Sequence, residues 1–328
     1  MRYQRLGNDG PNVSRICLGM MSYGTTNWQP WVQNEQVAVS FVSQALAAGI
    51  NFFDTADFYS GGVSEEILGR AVKSLTTRDK VVIATKVGLP VGATAKSQGL
   101  GRAHLVTAID ASLSRLGTDY VDLYQLHGWD PTIPITETME VLHSFVQSGK
   151  VRYVGASNLS AEQASAANAA SPIKLVSMQS QYNAAYRGEE HAILPACIGE
   201  SMGFIAYSPL ARGFLAGIRQ SPITSEALRA VGDSRGLRLF GSPADFEVLK
   251  ALTEVAARYR VPSSQVALAW VLNRPGVTAA IVGATERLHL CDAIAATELQ
   301  LNSEDMLSIE MAYRDRALVL NNLSGSVH

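Results

Sequence analysis

Eight short apolar runs punctuate the chain, and each is followed by a stretch with helical patterning. The runs are RICLGM (15–20), INFFDTA (50–56), VVIATKV (81–87), YVDLYQLH (120–127), RYVGASN (152–158), LVSMQSQYN (175–183), GFIAYSPL (203–210) and TAAIVGA (278–284). They are continuous, not strictly alternating, which is the pattern of strands buried on both faces of a parallel sheet. Eight β/α units in 328 residues predict an α/β chain folded as a (β/α)8 TIM barrel, one domain over residues 1–328 with long loops at its C-terminal face. The alternative, an open doubly wound sheet that binds a nucleotide, needs GxGxxG after an early strand; the nearest match, Gly99-Leu100-Gly101, lacks the third glycine.

The segments between the runs fit this reading. In SEEILGRAVKSL (64–75), Ser64 is a candidate cap, Glu65 and Glu66 suit the first turn, and Ile67, Leu68, Ala71, Val72 and Leu75 share a face. VPSSQVALAWVLNRPG (261–276) opens on a Pro-Ser cap and closes at Pro275-Gly276, and SAEQASAANAA (160–170) has a helix's composition. YQRLGNDGPNVSRI (3–16) has two short runs flanking an Asn-Asp-Gly turn, a β-hairpin expected to plug the barrel bottom.

Composition removes several function classes. A net charge of −2 leaves no basic footprint for nucleic acid, and no apolar run is long enough to span a bilayer. The opening MRYQRLGNDG has no apolar signal core, and the three cysteines, Cys17, Cys197 and Cys291, are far apart and without CxxC spacing. Together these predict a cytoplasmic protein with reduced thiols. The six histidines include no HxH pair, so no metal site is expected, and a metal-dependent hydrolase reading has no ligand set.

In a barrel of this kind the active site forms where strands end. The polar residues ending the runs are Asp54, Lys86, His127, Ser157-Asn158, Gln179 and Tyr207-Ser208, with Tyr59 just past the second. A buried lysine needs a partner, which Asp54 supplies, and an ammonium beside a phenol lowers the phenol's pKa. Such a phenol protonates a carbonyl oxygen while a neighbouring histidine orients it. No residue here can attack the carbon, so a cofactor hydride is the natural agent.

The motifs GINFFDTADFY, VVIATKVG, LGTDYVDLYQLH, VRYVGASNLS, SMQSQYN, AYSPLARGFLAG and IVGATERLHL, in this order, resemble the aldo-keto reductases over nearly the whole chain. MSYGTTNW with GINFFDTADFYSGGVSEEILGRA resembles the bacterial branch related to the voltage-gated potassium channel β-subunits. The resemblance implies a catalytic tetrad of Asp54, Tyr59, Lys86 and His127, with Tyr59 as general acid. It implies that Ser157, Asn158 and Gln179 bind the nicotinamide carboxamide and that Tyr207 stacks on the ring. Ser208, Leu210, Arg212 and Gly213 would wrap the pyrophosphate, and Gly283, Thr285, Glu286, Arg287, His289 and Asp292 would meet the adenosine end. The implied cofactor is NADPH, with NADH admitted because Glu286 stands where relatives often carry a basic residue and would repel a 2′-phosphate. Ala293 replaces the usual adenine-reading asparagine, and Gly128 leaves space beside His127. The implied partner is a small-molecule carbonyl, with Trp28, Trp31, Phe58 and Trp129 as candidate pocket walls suited to aryl aldehydes, sugars or quinones. A cofactor-binding sensor with little turnover is the other reading. Residues 211–243, with Arg219, Arg229, Arg235 and Arg238, are the candidate flap over the phosphates, and the tail after 311 is a candidate pocket edge.

Overall fold

The computed structural model describes residues 1–91, 98–217 and 239–315. The four candidate flap arginines and the tail beyond 315 lie outside these. Tyr3–Arg5 (β1) and Asn12–Ser14 (β2) form an antiparallel hairpin, with Tyr3 opposite Ser14. The eight runs become Ile16–Gly19 (β3), Phe52–Asp54 (β4), Val82–Val87 (β5), Val121–Leu126 (β6), Val151–Ser157 (β7), Leu175–Gln181 (β8), Gly203–Tyr207 (β9) and Val277–Val282 (β10). All neighbours pair in parallel, and β10 joins both β9 and β3, closing the sheet into an eight-stranded TIM barrel.

Helices cover the outside, among them Glu35–Ala47, Val63–Leu75, Arg102–Leu116, Ser263–Leu272 and Arg287–Ala296. Ala161–Ala169 starts at a reciprocal cap between Ser160 and Gln163. Ser64 is not a cap: Val63–Leu75 begins from Gly62 at φ 96, and the Ser64 hydroxyl is buried in the first turn, donating to Met20 O at 2.9 Å. Ser263–Leu272 likewise starts at Pro262 without a side-chain cap. Among the described residues, no helix is long and apolar enough to cross a membrane.

Strand alternation divides the core in two. Ile16, Leu18, Phe53, Ile83 and Tyr124 face the helices, whereas Cys17, Phe52, Val82, Ala84, Leu123, Ile205 and Ala279 form a separate cluster inside the barrel with Leu6 and Val13 of the hairpin. The hairpin therefore plugs the lower end. Higher along the same inward-facing positions the residues turn polar: Phe52 gives way to Asp54, Ala84 to Lys86, and Leu123 to Gln125 and then His127. An apolar floor under a polar rim is what the C-terminal end of such a barrel needs for a reaction site.

Candidate active site

Asp54 ends β4, Lys86 is the penultimate residue of β5, and His127 directly follows β6. Tyr59 opens the turn Tyr59–Gly62, in which Ser60, Gly61 and Gly62 are all left-handed, with φ of 52, 62 and 96. The two glycines adopt this region freely, and Ser60 adopts it at a cost in backbone strain.

The four side chains converge. Lys86 is fully buried, and its Nζ donates to Asp54 Oδ2 at 2.6 Å, to Tyr59 Oη at 3.0 Å and to the Thr55 carbonyl at 3.0 Å. Its three N–H bonds are thereby all used. Asp54 Oδ1 accepts from Gln125 Nε2 at 3.2 Å and from Gln179 Nε2 at 2.8 Å. Asp54, Gln125 and Gln179 come from alternate strands, forming a polar layer across the barrel. The rings of Tyr59 and His127 meet edge to face with centroids 5.9 Å apart.

The titrations follow from burial and charge. Burial pulls the Lys86 ammonium down, but Asp54 and Tyr59 outweigh it and hold its pKa above the usual value. His127 sits well below the ordinary imidazole range because it is buried and faces Lys86, so it is a neutral ring. Its Nδ1 has no hydrogen-bond partner among the described residues. The expected lowering of the Tyr59 phenol is corrected: burial raises it, and Asp54 and Asp57 add to that, so the net direction is upward although Lys86 pulls down. The hydroxyl is thus protonated at neutral pH, as a proton donor must be.

The other candidate residues lie around this rim. Ser157 ends β7, and Asn158 follows at φ 58, its Oδ1 accepting from Tyr207 Oη at 3.0 Å. Gln179 is spent on Asp54 and Gln125 through its amide nitrogen, which leaves its carbonyl as the end to offer a ligand. Ser208, Ala211, Arg212 and Gly213 follow β9 in left-handed conformations, with φ of 52, 49, 57 and 90, and Leu210 and Arg212 are half-buried. Gly283 follows β10, whose neighbour is β9, so the two segments lie side by side. Glu286 and Arg287 are exposed at the start of Arg287–Ala296. His289 Nδ1 accepts from the Thr285 and Glu286 backbone N–H groups, both at 3.3 Å. Asp292 accepts from Ser264 Oγ at 2.5 Å and Gln265 Nε2 at 2.9 Å, both on the neighbouring helix.

Three of the aromatic candidates form one wall. Trp28 lies 5.7 Å from Phe58, 6.1 Å from Tyr59 and 6.2 Å from Trp31, and Phe58 stands edge-on to His127 at 6.4 Å. Trp129 is apart from them and packs on the outer core. A Cβ added at Gly128 would meet nothing within 4 Å among the described residues, which leave open space beside His127. The sequence reading passed over Gln125, although its inward parity with His127 marks it, and it passed over Asp57 and the Glu65–Arg115 pair.

The residues fit a reduced nicotinamide dinucleotide: amide groups at Asn158 and Gln179, an aromatic ring at Tyr207, a turned backbone at 208–213, and an adjoining segment at 283–289. A buried amide nitrogen on Gln181, two residues beyond Gln179 on β8 and without a partner among the described residues, adds donor capacity at the same rim.

Comparison with known proteins places the chain in a family. The aldo/keto reductase family model matches residues 15–314. The versiconal hemiacetal acetate reductase of Aspergillus parasiticus is 36% identical, over 97% of this chain and 98% of its own. Aldo-keto reductase YhdN of Bacillus subtilis is 35% identical, over 94% and 92%. A crystal structure of the thermostable aldo-keto reductase Tm1743, in complex with the inhibitor epalrestat, superposes with a TM-score of 0.78 at 29% identity, covering 95% of this chain and 100% of that one.

Proposed function

The chain belongs to the aldo/keto reductase family and is an aldo-keto reductase; from that premise we propose that it reduces aldehydes and ketones to alcohols with NADPH, Tyr59 acting as the acid. The observation that carries this is the Lys86 ammonium bridging Asp54 Oδ2 and Tyr59 Oη. When bound, a reduced nicotinamide would supply the hydride.

The chain's own residues do the rest. Tyr59 Oη accepts from Lys86, so its own O–H is left to meet the carbonyl oxygen. As that proton departs, the ammonium 3.0 Å away stabilises the developing phenolate, and Asp54 keeps the ammonium in place. His127, being neutral, orients the carbonyl without competing as the proton source. Trp28 and Phe58, set edge to face at 82°, give the pocket an aromatic wall, which favours aryl aldehydes.

Within the family, we place the chain near the channel β-subunit branch on the segments MSYGTTNW and GINFFDTADFYSGGVSEEILGRA. NADPH is the first choice of cofactor. NADH is admitted because the exposed Glu286 would repel a 2′-phosphate and accept from a ribose hydroxyl. The test is a fluorescence titration with each reduced cofactor, followed by a carbonyl panel with the one that binds. Consumption of cofactor with aryl aldehydes is expected. Tight cofactor binding with no turnover on any carbonyl would refute the reading and favour a sensor.

A further inference from the structure

Asp57 lies in the link between Asp54 and Tyr59, yet no step above uses it. The residue is 2% exposed, and among the described residues its Oδ1 has no hydrogen-bond partner, the carboxyl's backbone donor being the Phe58 N–H. The backbone N–H donates to the Lys86 carbonyl at 3.2 Å, which pins the residue against β5. The ionisable groups acting on it come from every side: Glu65 on Val63–Leu75, Arg115 on Arg102–Leu116 and Lys86 on β5. The phenols of Tyr59, on its own link, and Tyr124, on β6, also feel its charge.

The cations nearby are already committed. Lys86 is 2.6 Å from Asp54, and Arg115 is 2.6 Å from the fully buried Glu65. Three buried carboxyl groups thus share two cations, and Asp57 is the one left over. An unpaired carboxylate in such surroundings takes up a proton instead of staying charged. Arg115 also passes close to Gly62 of the Tyr59 turn, where a Cβ would stand 2.6 Å from its Cδ and Nε.

We propose, resting on the reduction reading above, that Asp57 is a positioning residue for Tyr59: its uncharged carboxyl keeps the link beneath the phenol free of excess negative charge, and loss of its proton weakens the acid. Burial first, and then Glu65, push the Asp57 carboxyl up to about 8, so the change falls just above neutrality. The folded state holds this proton more tightly than the unfolded chain, where the ordinary value is 3.8. The stability it contributes is therefore complete below the unfolded value and is lost as pH rises through about 8. The same negative charge makes the Tyr59 phenol harder to ionise, and hence a poorer proton donor.

The test uses the full chain with Asp57→Asn, which keeps the shape and removes the titration. Thermal midpoint and kcat/KM for aldehyde reduction are both measured from about pH 6 to about pH 10. The wild type should lose midpoint temperature up to about pH 8 and level off above it, and should lose kcat/KM across about pH 8, while the variant should have a flatter midpoint profile and an alkaline limb displaced upward by about one unit. Cofactor binding should be unchanged. If Asp57→Asn does not fold, Asp57→Ala carries the same expectations. Superimposable thermal profiles would overturn the neutral acid. A flattened thermal profile with an unmoved kinetic limb would overturn the positioning role and leave a buried acid of structural effect only. A wild type without turnover removes the reaction itself, and the positioning role with it, while the thermal profiles still decide the charge on Asp57.

Discussion

Lys86→Met removes the ammonium that joins Asp54 to Tyr59. Methionine nearly preserves the volume, so lost packing accounts for less than about 1.5 kcal/mol. The larger effect is the stranded charge on Asp54, since breaking a buried pair from one side costs about 3–5 kcal/mol. Asp54 keeps two donors, Gln125 at 3.2 Å and Gln179 at 2.8 Å, which places the expected loss near the lower bound, about 3 kcal/mol. Adding Asp54→Asn discharges the stranded group while leaving an oxygen for both glutamines, so about 2 kcal/mol should return. Turnover responds differently. A positioned acid contributes about 10²–10⁴-fold, and without the ammonium the phenolate that forms in reduction has no stabilising charge, so kcat should fall at least about 100-fold in both variants. Equilibrium urea denaturation reads the first quantity and the decay of cofactor absorbance reads the second. A single variant within about 1 kcal/mol of wild type, or a double variant that regains turnover, would refute the roles given to the pair.

Two further perturbations probe the surroundings. Gly62→Ala places a Cβ at φ 96 and 2.6 Å from Arg115 Cδ; it should cost about 1–3 kcal/mol in urea and lower kcat by disturbing the Tyr59 turn. Gly128 has no left-handed backbone and, among the described residues, no contact for a Cβ. Gly128→Leu should therefore stay within about 0.5 kcal/mol of wild type, while raising KM for bulky aryl ketones and sparing small aldehydes.

The barrel could be read from sequence because its evidence is local and repeated. Each strand buries both faces, so each appears as a short apolar run, and eight of them leave few architectures. The hairpin was equally plain, because Asn8, Asp9 and Gly10 mark its turn. Ser64 misled because a serine before two glutamates looks like a cap, whereas its hydroxyl is held by Met20 across the barrel rim. That contact joins residues far apart in the chain, and no local pattern encodes it. The same holds for Glu65 and Arg115, which meet from different helices, and for Asp292, which meets Ser264 of another helix. Gln125 could have been found by counting inward positions along β6. The direction of the Tyr59 shift could not, because burial outweighs Lys86 only when the depth of the site is known.

The most direct measurement is a single turnover with Tyr59→Phe loaded with its reduced cofactor and mixed with an aryl aldehyde. The expected result is cofactor binding close to wild type, with oxidation of the bound cofactor slowed at least about 100-fold. Oxidation at a rate near wild type would show that the proton comes from elsewhere, and the role assigned to the phenol at this rim would be wrong.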